Sequence, residues 1–296
     1  MLKADQFPEE RVALECICCT SKALNTSSAV IMPFIAKRIW GYDPVEITAA
    51  FGLRDIKPGF AYSLCNSVHC ANCGALFLDI RFSDRELALL YEGYRDNAYT
   101  SLRELYEPGY KDKNKFFSGR AAYIEGIEAF LLQRIPVPKK LLDWGGDTGI
   151  NTPLLTQTEE VHVFDISGVA TIEDVRMVSL DEVKNNNYDL IICSQVLEHI
   201  PYPQKILKQI VSAMSDSTIL YLEVPYEEVM REFSGFPDLA QRKHHWHEHI
   251  NFFSLESMCK LVEAAGLELM EIMPHEISLG WRSAVVTSVL CRKARA

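Results

Sequence analysis

The sequence predicts an α/β fold: a mostly parallel sheet in the C-terminal half, preceded by a small cysteine-bearing module. Three observations carry this. From Lys139 onward, short apolar runs of strand length alternate with helical stretches, the pattern of β-α-β units. The first of those runs ends in a glycine-rich turn, Gly145-Gly146-Asp147-Thr148-Gly149. Six of the nine cysteines (Cys16, Cys18, Cys19, Cys65, Cys70 and Cys73) fall in the first quarter of the chain.

Composition sets the class before any element is placed. A chain of 296 residues with 48% hydrophobic and 24% charged content is globular, which excludes disorder, collagen and coiled-coil arrays. The net charge is -10, and residues 136–296 hold 14 basic against 23 acidic side chains, so nearly all of the excess sits there. An acidic body repels phosphate backbones, which makes nucleic acid a poor default partner. The N-terminal MLKADQFPEERVALECICC lacks the apolar stretch of a signal peptide, and no apolar run is long enough to span a bilayer. The expectation is a soluble, cytoplasmic protein with reduced thiols, whose cysteine spacing must be read for metal. A homo-oligomer stays open.

Taken in order, residues 1–80 form the cysteine module. Residues 81–135 are a helical connector or lid: Arg85–Tyr91 and Ala121–Leu132 have helical character, and the polar, aromatic stretch between them is broken at Pro108-Gly109. Residues 136–296 form the α/β domain. Its strands are expected at Lys140–Trp144, Val161–Phe164, Tyr188–Cys193 and Thr218–Val224, with helices at Pro203–Met214 and at Leu255–Ala265, the latter stopped by Gly266. Leu267–Ile272 and Ala284–Leu290 are two strands without a helix between them, so the parallel sheet should finish in an antiparallel pair.

The glycine turn and a following acid make the first functional motif. Glycines at a strand-to-helix turn let backbone approach a ligand, with a helix N-terminus facing it. Asp165 ends the second strand, 22 residues after Asp143, where a carboxylate can accept the hydroxyls of a ribose. A plain tight turn with a solvated acid is the bland alternative.

With DWGGDTG at 143–149, the sequence resembles the class I S-adenosylmethionine-dependent methyltransferases, whose first motif is Asp-x-Gly-x-Gly-x-Gly. Asp147 stands where that motif has its middle glycine. The resemblance continues through YDLIICSQVLEHIPYP and EHINFFSLESMCKLVEAAGLEL and covers roughly residues 135–296. It implies a Rossmann-like seven-stranded methyltransferase sheet. It also implies S-adenosylmethionine held by Asp143, Gly145, Gly146, Gly149 and Asp165, with Gln195 near the adenine.

Cys16-x2-Cys19 and Cys70-x2-Cys73 are two knuckles, each able to place two thiolates on one tetrahedral ion. The 50 residues between them exceed the usual loop, Cys18 and Cys65 are spare candidates, and His69 adjoins the second knuckle. Buried core thiols and a redox dithiol remain as alternatives. The second knuckle and the sequence after it, CANCGALFLDIRFSDRELALLYEGY, resemble a group of bacterial sugar and glycan methyltransferases. Those carry a zinc-ribbon-like N-terminal module, which implies structural zinc here.

Four of the eight histidines lie within residues 244–249, in KHHWHEH. A neutral imidazole can take the proton of an attacking hydroxyl; a solvated polar loop is the bland alternative, and a second metal site is a further one that no acidic-ligand spacing supports. Trp246-His247-Glu248-His249 resembles the Tyr-His-Glu-His stretch of zinc-binding sugar C-methyltransferases, with Trp246 in place of Tyr. The expectation is His249 as general base, oriented by Glu248, with His247 in reserve. Glu198-His199 is a second acid–base pair that reads equally well as a capping or structural element. The expected reaction is methyl transfer to a hydroxyl of a sugar, a glycan end or another small molecule. An RNA methyltransferase and a catalytically silent binding protein of the same fold are the alternatives.

Overall fold

The structure, a computed structural model, describes residues 11–52, 57–116, 119–279 and 282–294. Most of the N-terminal stretch read for a signal peptide lies outside them. The cysteine region contributes β1 (Leu24–Ile31), α1 (Pro33–Trp40), the small pair β2 (Val45–Ile47) and β3 (Gly59–Ala61), β4 (Leu64–Cys70) and β5 (Leu76–Leu78). The connector is more helical than expected, with α2 (Asp84–Tyr91), α3 (Asn97–Tyr106), α4 (Tyr110–Phe116) and α5 (Ile124–Leu132). Pro108-Gly109 separates α3 from α4, and the stretch read as a polar break holds both helices. Asp96 caps α3, its carboxylate accepting from Tyr99 N at 2.7 Å, and Ser83 with Glu86 forms a capping box on α2.

The alternating pattern then yields β6 (Lys140–Trp144), β7 (Glu160–Phe164), β8 (Val175–Met177), α6 (Leu180–Lys184), β9 (Leu190–Ser194), α7 (Pro203–Ala213) and β10 (Ile219–Pro225). After α8 (Glu228–Phe233) and α9 (Leu239–Arg242) come two-residue strands, β11 (His245–Trp246) and β12 (Asn251–Phe252). The chain ends in α10 (Leu255–Ala264), β13 (Leu267–Ser278) and β14 (Ser283–Lys293). A seven-stranded sheet runs in the order β13-β14-β10-β9-β6-β7-β8. β8, β7, β6, β9 and β10 pair in parallel, and β14 is antiparallel to both β10 and β13, which is the expected finish. Central strands such as β9 are buried on both faces, and their unbroken apolar runs follow from that.

Two local features depart from expectation. No helix follows the glycine turn; residues 146–157 run through successive turns. The sequence there, TGINTPLLTQT, explains this: four threonines and an asparagine are poor helix formers, and Pro153 would clash with the carbonyl of Gly149 one turn back. The second departure concerns the histidine-rich loop. β11 pairs in parallel with β1, and β12 pairs antiparallel with β5, giving a second sheet of order β11-β1-β4-β5-β12. The loop that follows β10 thus completes the sheet of the cysteine region, so residues 1–80 do not form that sheet alone. Trp246 fills this second core, fully buried, and donates its indole N–H to Ser67 Oγ at 2.8 Å.

Candidate functional site

A cleft of about 2270 Å³ opens along the carboxyl ends of the parallel strands, with the connector as its outer wall. One end is built by the turns after β6 and β7. Gly145 (φ 84°) and Asp147 (φ 52°) take left-handed conformations, and a Cβ on Gly145 would come within 2.5 Å of Val196. The turn folds back so that Asp147 N donates to Asp165 Oδ2 at 2.9 Å, while Ser167 N donates to Oδ1 at 2.7 Å. Asp165 is therefore fixed in place, and each oxygen keeps a lone pair for a ligand hydroxyl. Aspartate tolerates the left-handed backbone at 147 better than most residues, which is how the motif survives without its middle glycine.

The remaining residues expected at this end divide. Gly146 lines the cleft, and a Cβ there would meet the Asp143 carboxylate at 2.6 Å. Asp143 is buried beneath it and accepts from Thr152 Oγ1 at 2.6 Å; burial, with Asp165 and Glu223 nearby, pushes its carboxyl up to about 7. Gly149 packs against Val175 of β8 instead of lining the cleft. Gln195 lines the cleft but donates its amide to Glu223 Oε1 at 3.0 Å, on a strained backbone with φ 56°. Because no helix follows the turn, residues 146–157 supply no helix dipole to the cleft, and the polarity they present is that of turn backbone and carboxylates.

The other end holds Glu198, His199, Glu248 and His249. Two distant segments are clamped together here: the carbonyl of Glu198 accepts from Ile250 N at 2.7 Å and from Asn251 N at 3.0 Å. The Asn251 side chain donates to the carbonyls of Leu197 and Ile200, and buried Arg81 donates to Asn251 Oδ1 and Pro201 O, both at 2.9 Å. His249 Nδ1 lies 2.9 Å from Glu227 Oε1. Burial opposes charging His249, yet the bond to Glu227 and the charges of Glu198 and Glu248 hold its pKa above the usual imidazole value. The hydrogen-bond partner of His249 Nδ1 is thus Glu227, and Glu248 faces Arg103 instead.

Glu248 is engaged elsewhere. Arg103, 6% exposed, spans its carboxylate with two nitrogens at 3.1 and 3.3 Å. Although burial would raise it, the charges of His247, Arg103 and the neighbouring histidines hold Glu248 down at about 2. Arg103 also binds Glu107 and sits over the ring of Tyr110. His247 joins this network through Glu107. His199 Nδ1 lies 2.8 Å from Tyr91 Oη and 3.0 Å from the carbonyl of Glu248. Burial pushes His199 down to about 3, so it is neutral, and pushes Glu198 up to about 7. Arg103, Glu227 and Tyr91 carry no local sequence signal; α2 and α3 of the connector bring Tyr91 and Arg103 here, and the turn between β10 and α8 brings Glu227.

The knuckles meet. Sγ of Cys16, Cys19, Cys70 and Cys73 all lie within 4.8 Å of one another, with Cys16–Cys73 at 3.5 Å and Cys19–Cys70 at 3.7 Å. Four thiolates at about 2.3 Å from one zinc ion stand about 3.8 Å apart, so the set fits a closed tetrahedral centre. Cys18 N donates to Cys16 Sγ and Asn72 Nδ2 to Cys19 Sγ, both at 3.4 Å, as thiolates require. Among the described residues Cys18, Cys65 and His69 stand outside the cluster, Cys65 in the second core.

Comparison with known proteins bears on this geometry. Residues 116–272 match the family described as methyltransferase domain, 53% of the chain. The chain belongs to that family. The C-methyltransferase NovU of Streptomyces niveus is 26% identical over 91 residues, which are 31% of this chain and 20% of that protein. The match spans one fifth of that curated relative's length. Among solved structures, the Burkholderia thailandensis 1,6-didemethyltoxoflavin-N1-methyltransferase, with that compound and S-adenosylhomocysteine bound, covers 77% of this chain and 99% of its own, at 14% identity and a TM-score of 0.47. Magnesium protoporphyrin IX methyltransferase of Synechocystis PCC 6803, with S-adenosylhomocysteine bound, covers 68% and 97% at 14% identity and a TM-score of 0.42. Among the described residues no helix is long and apolar enough to cross a membrane.

Proposed function

We propose that this methyltransferase-family chain moves a methyl group from S-adenosylmethionine to a hydroxyl of a small polyhydroxylated acceptor, a sugar or glycan end. The observation that carries the reading is the division of one cleft: glycine turn and fixed Asp165 at one end, His249 with Glu227 at the other. Asp165 holds the ribose hydroxyls of the donor, with the turn of Gly145 and Gly146 beside it. When bound, the donor supplies an electrophilic methyl on a sulfonium. His249 takes the acceptor proton on Nε2, while Glu227 on Nδ1 fixes the ring and stabilises the imidazolium that forms. Arg103 holds Glu248, and Glu248 in turn anchors His199 through its carbonyl. The cysteine centre takes zinc in a structural role, since four thiolates leave no open position.

The carboxylates along the cleft disfavour a polyanionic acceptor, which counts against RNA. Methyl transfer to carbon is the second reading, and it is favoured by the likeness to NovU alone. Incubation with methyl-labelled donor and a cell extract distinguishes the readings. A carbohydrate methyl ether supports the proposal; label in RNA, or on a carbon, overturns it.

A further inference from the structure

The geometry points to a second metal site: Glu198, His199 and His249 bind a divalent transition-metal ion of the zinc class, apart from the four-cysteine centre. Each of the three offers one ligand atom, and those atoms lie within 4.8 Å of one another. Two of the ligands come from the segment after β9 and the third from the loop between β11 and β12. Two hydrogen bonds, from Ile250 N and Asn251 N to the carbonyl of Glu198, hold the two segments together. The site is therefore built into the backbone and does not depend on two mobile side chains meeting.

Glu198 supplies the observation that asks for a ligand. It is 1% exposed, and neither carboxylate oxygen has a hydrogen-bond partner. A buried carboxylate is ordinarily paired, hydrogen-bonded or bound to a metal. Neither neighbouring imidazole pairs with it closely; His199 Nε2 stands 3.7 Å from Glu198 Oε1. That separation is too long for a hydrogen bond and close to the roughly 3.4 Å between two ligand atoms on one tetrahedral zinc ion.

The outer partners fit as well. His249 has its Nδ1 on the Glu227 carboxylate, and His199 has its Nδ1 on the carbonyl of Glu248 and the hydroxyl of Tyr91. In metal sites the second nitrogen of a ligating imidazole is held in this way, which fixes the ring and leaves Nε2 for the ion. Two imidazoles and one carboxylate suit zinc over magnesium or calcium, which prefer all-oxygen sets. Three protein ligands leave a position open toward the cleft. The lone pair of His249 Nε2 cannot hold both an ion and a proton. Loading the site therefore suspends the base role of His249, a consequence that rests on the functional reading above, while the binding itself does not.

The test is the metal content of the full chain after equilibration with excess zinc and removal of free ion. Two zinc ions per chain are expected in the wild type and one in Glu198→Gln and in His199→Ala, with circular dichroism checking that both variants fold. Cobalt loading adds a spectroscopic separation. The cysteine centre gives intense thiolate charge-transfer absorption, and the second equivalent gives only weak d–d bands, which disappear in Glu198→Gln. A single ion per chain in the wild type, or a second ion that persists in both variants, overturns the site. Excess zinc is expected to slow methyl transfer at least tenfold while donor affinity by calorimetry stays unchanged. A second ion that binds and leaves turnover untouched keeps the metal site and removes His249 as the base.

Discussion

His249 and Asp165 mark the two ends of the cleft, and each is tested by a single substitution. His249→Ala is expected to leave donor affinity nearly intact while lowering turnover about 10²–10⁴-fold, the contribution of a general base. Glu227→Gln should cost less than His249→Ala and more than Glu248→Gln, because Glu227 is the carboxylate on His249 Nδ1 and Glu248 faces Arg103. Turnover measured at saturating donor ranks the three, and a larger loss for Glu248→Gln would return the orienting role to it. The histidine cluster was legible because four histidines crowd six positions. Glu227 was not, since nothing near it in sequence distinguishes it from the adjoining Glu228. Nor did the pattern show that Trp246 would turn into the second core while His249, three residues on, faces the cleft.

At the scale of elements, β6 illustrates what periodicity conveys. The run Lys140–Trp144 was predicted and observed with the same bounds, because an apolar run between turn signals has one solution when both faces are covered. The segment after it did not become a helix, and Pro153 with its threonines was the readable signal. Asp143 is the penultimate residue of β6, and its buried carboxyl is raised from the ordinary range to about 7. The folded state therefore holds a proton between about pH 4 and pH 7 that the unfolded chain has released, so this group's contribution to stability falls as pH rises across that window. Thermal melting of wild type and Asp143→Asn from pH 4 to 8 should show the wild type losing ground to the variant up to about pH 7 and holding steady above it. A constant difference between the two would place the Asp143 pKa in the ordinary range. β8 and α6 escaped the sequence reading because three- and five-residue elements are too short to establish a period.

At the scale of the molecule, the two sheets share the histidine-rich loop. β11 and β12 belong to the sheet of the cysteine region, while the segment between them carries His249 to the strand ends of the other sheet. The cysteine cluster is bound to helices beside the seven-stranded sheet as well: the carbonyl of Cys18 accepts from Gln204 of α7, and that of Cys73 from Ser254, the N-cap of α10. Removing the ion that the cluster fits is thus expected to act beyond its own knuckles. Cys16→Ser or Cys70→Ser should release one zinc ion, lower the melting temperature and reduce turnover together. Retention of the ion in either variant, or release of the ion with no change in stability, would contradict a structural zinc centre. Sequence spacing identified the knuckles, but the chain's return to this sheet at β11, 167 residues after the end of β5, is a long-range pairing that no local pattern announces. Methyl transfer by this chain depends first on the donor site, and calorimetric titration with S-adenosylmethionine tests that most directly because it requires no acceptor. One site per chain is predicted, weakened by about 1–3 kcal/mol in Asp165→Ala, the loss of hydrogen bonds to a charged acceptor, and unchanged in His249→Ala. Absence of binding in the wild type, or equal affinity in Asp165→Ala, would contradict it.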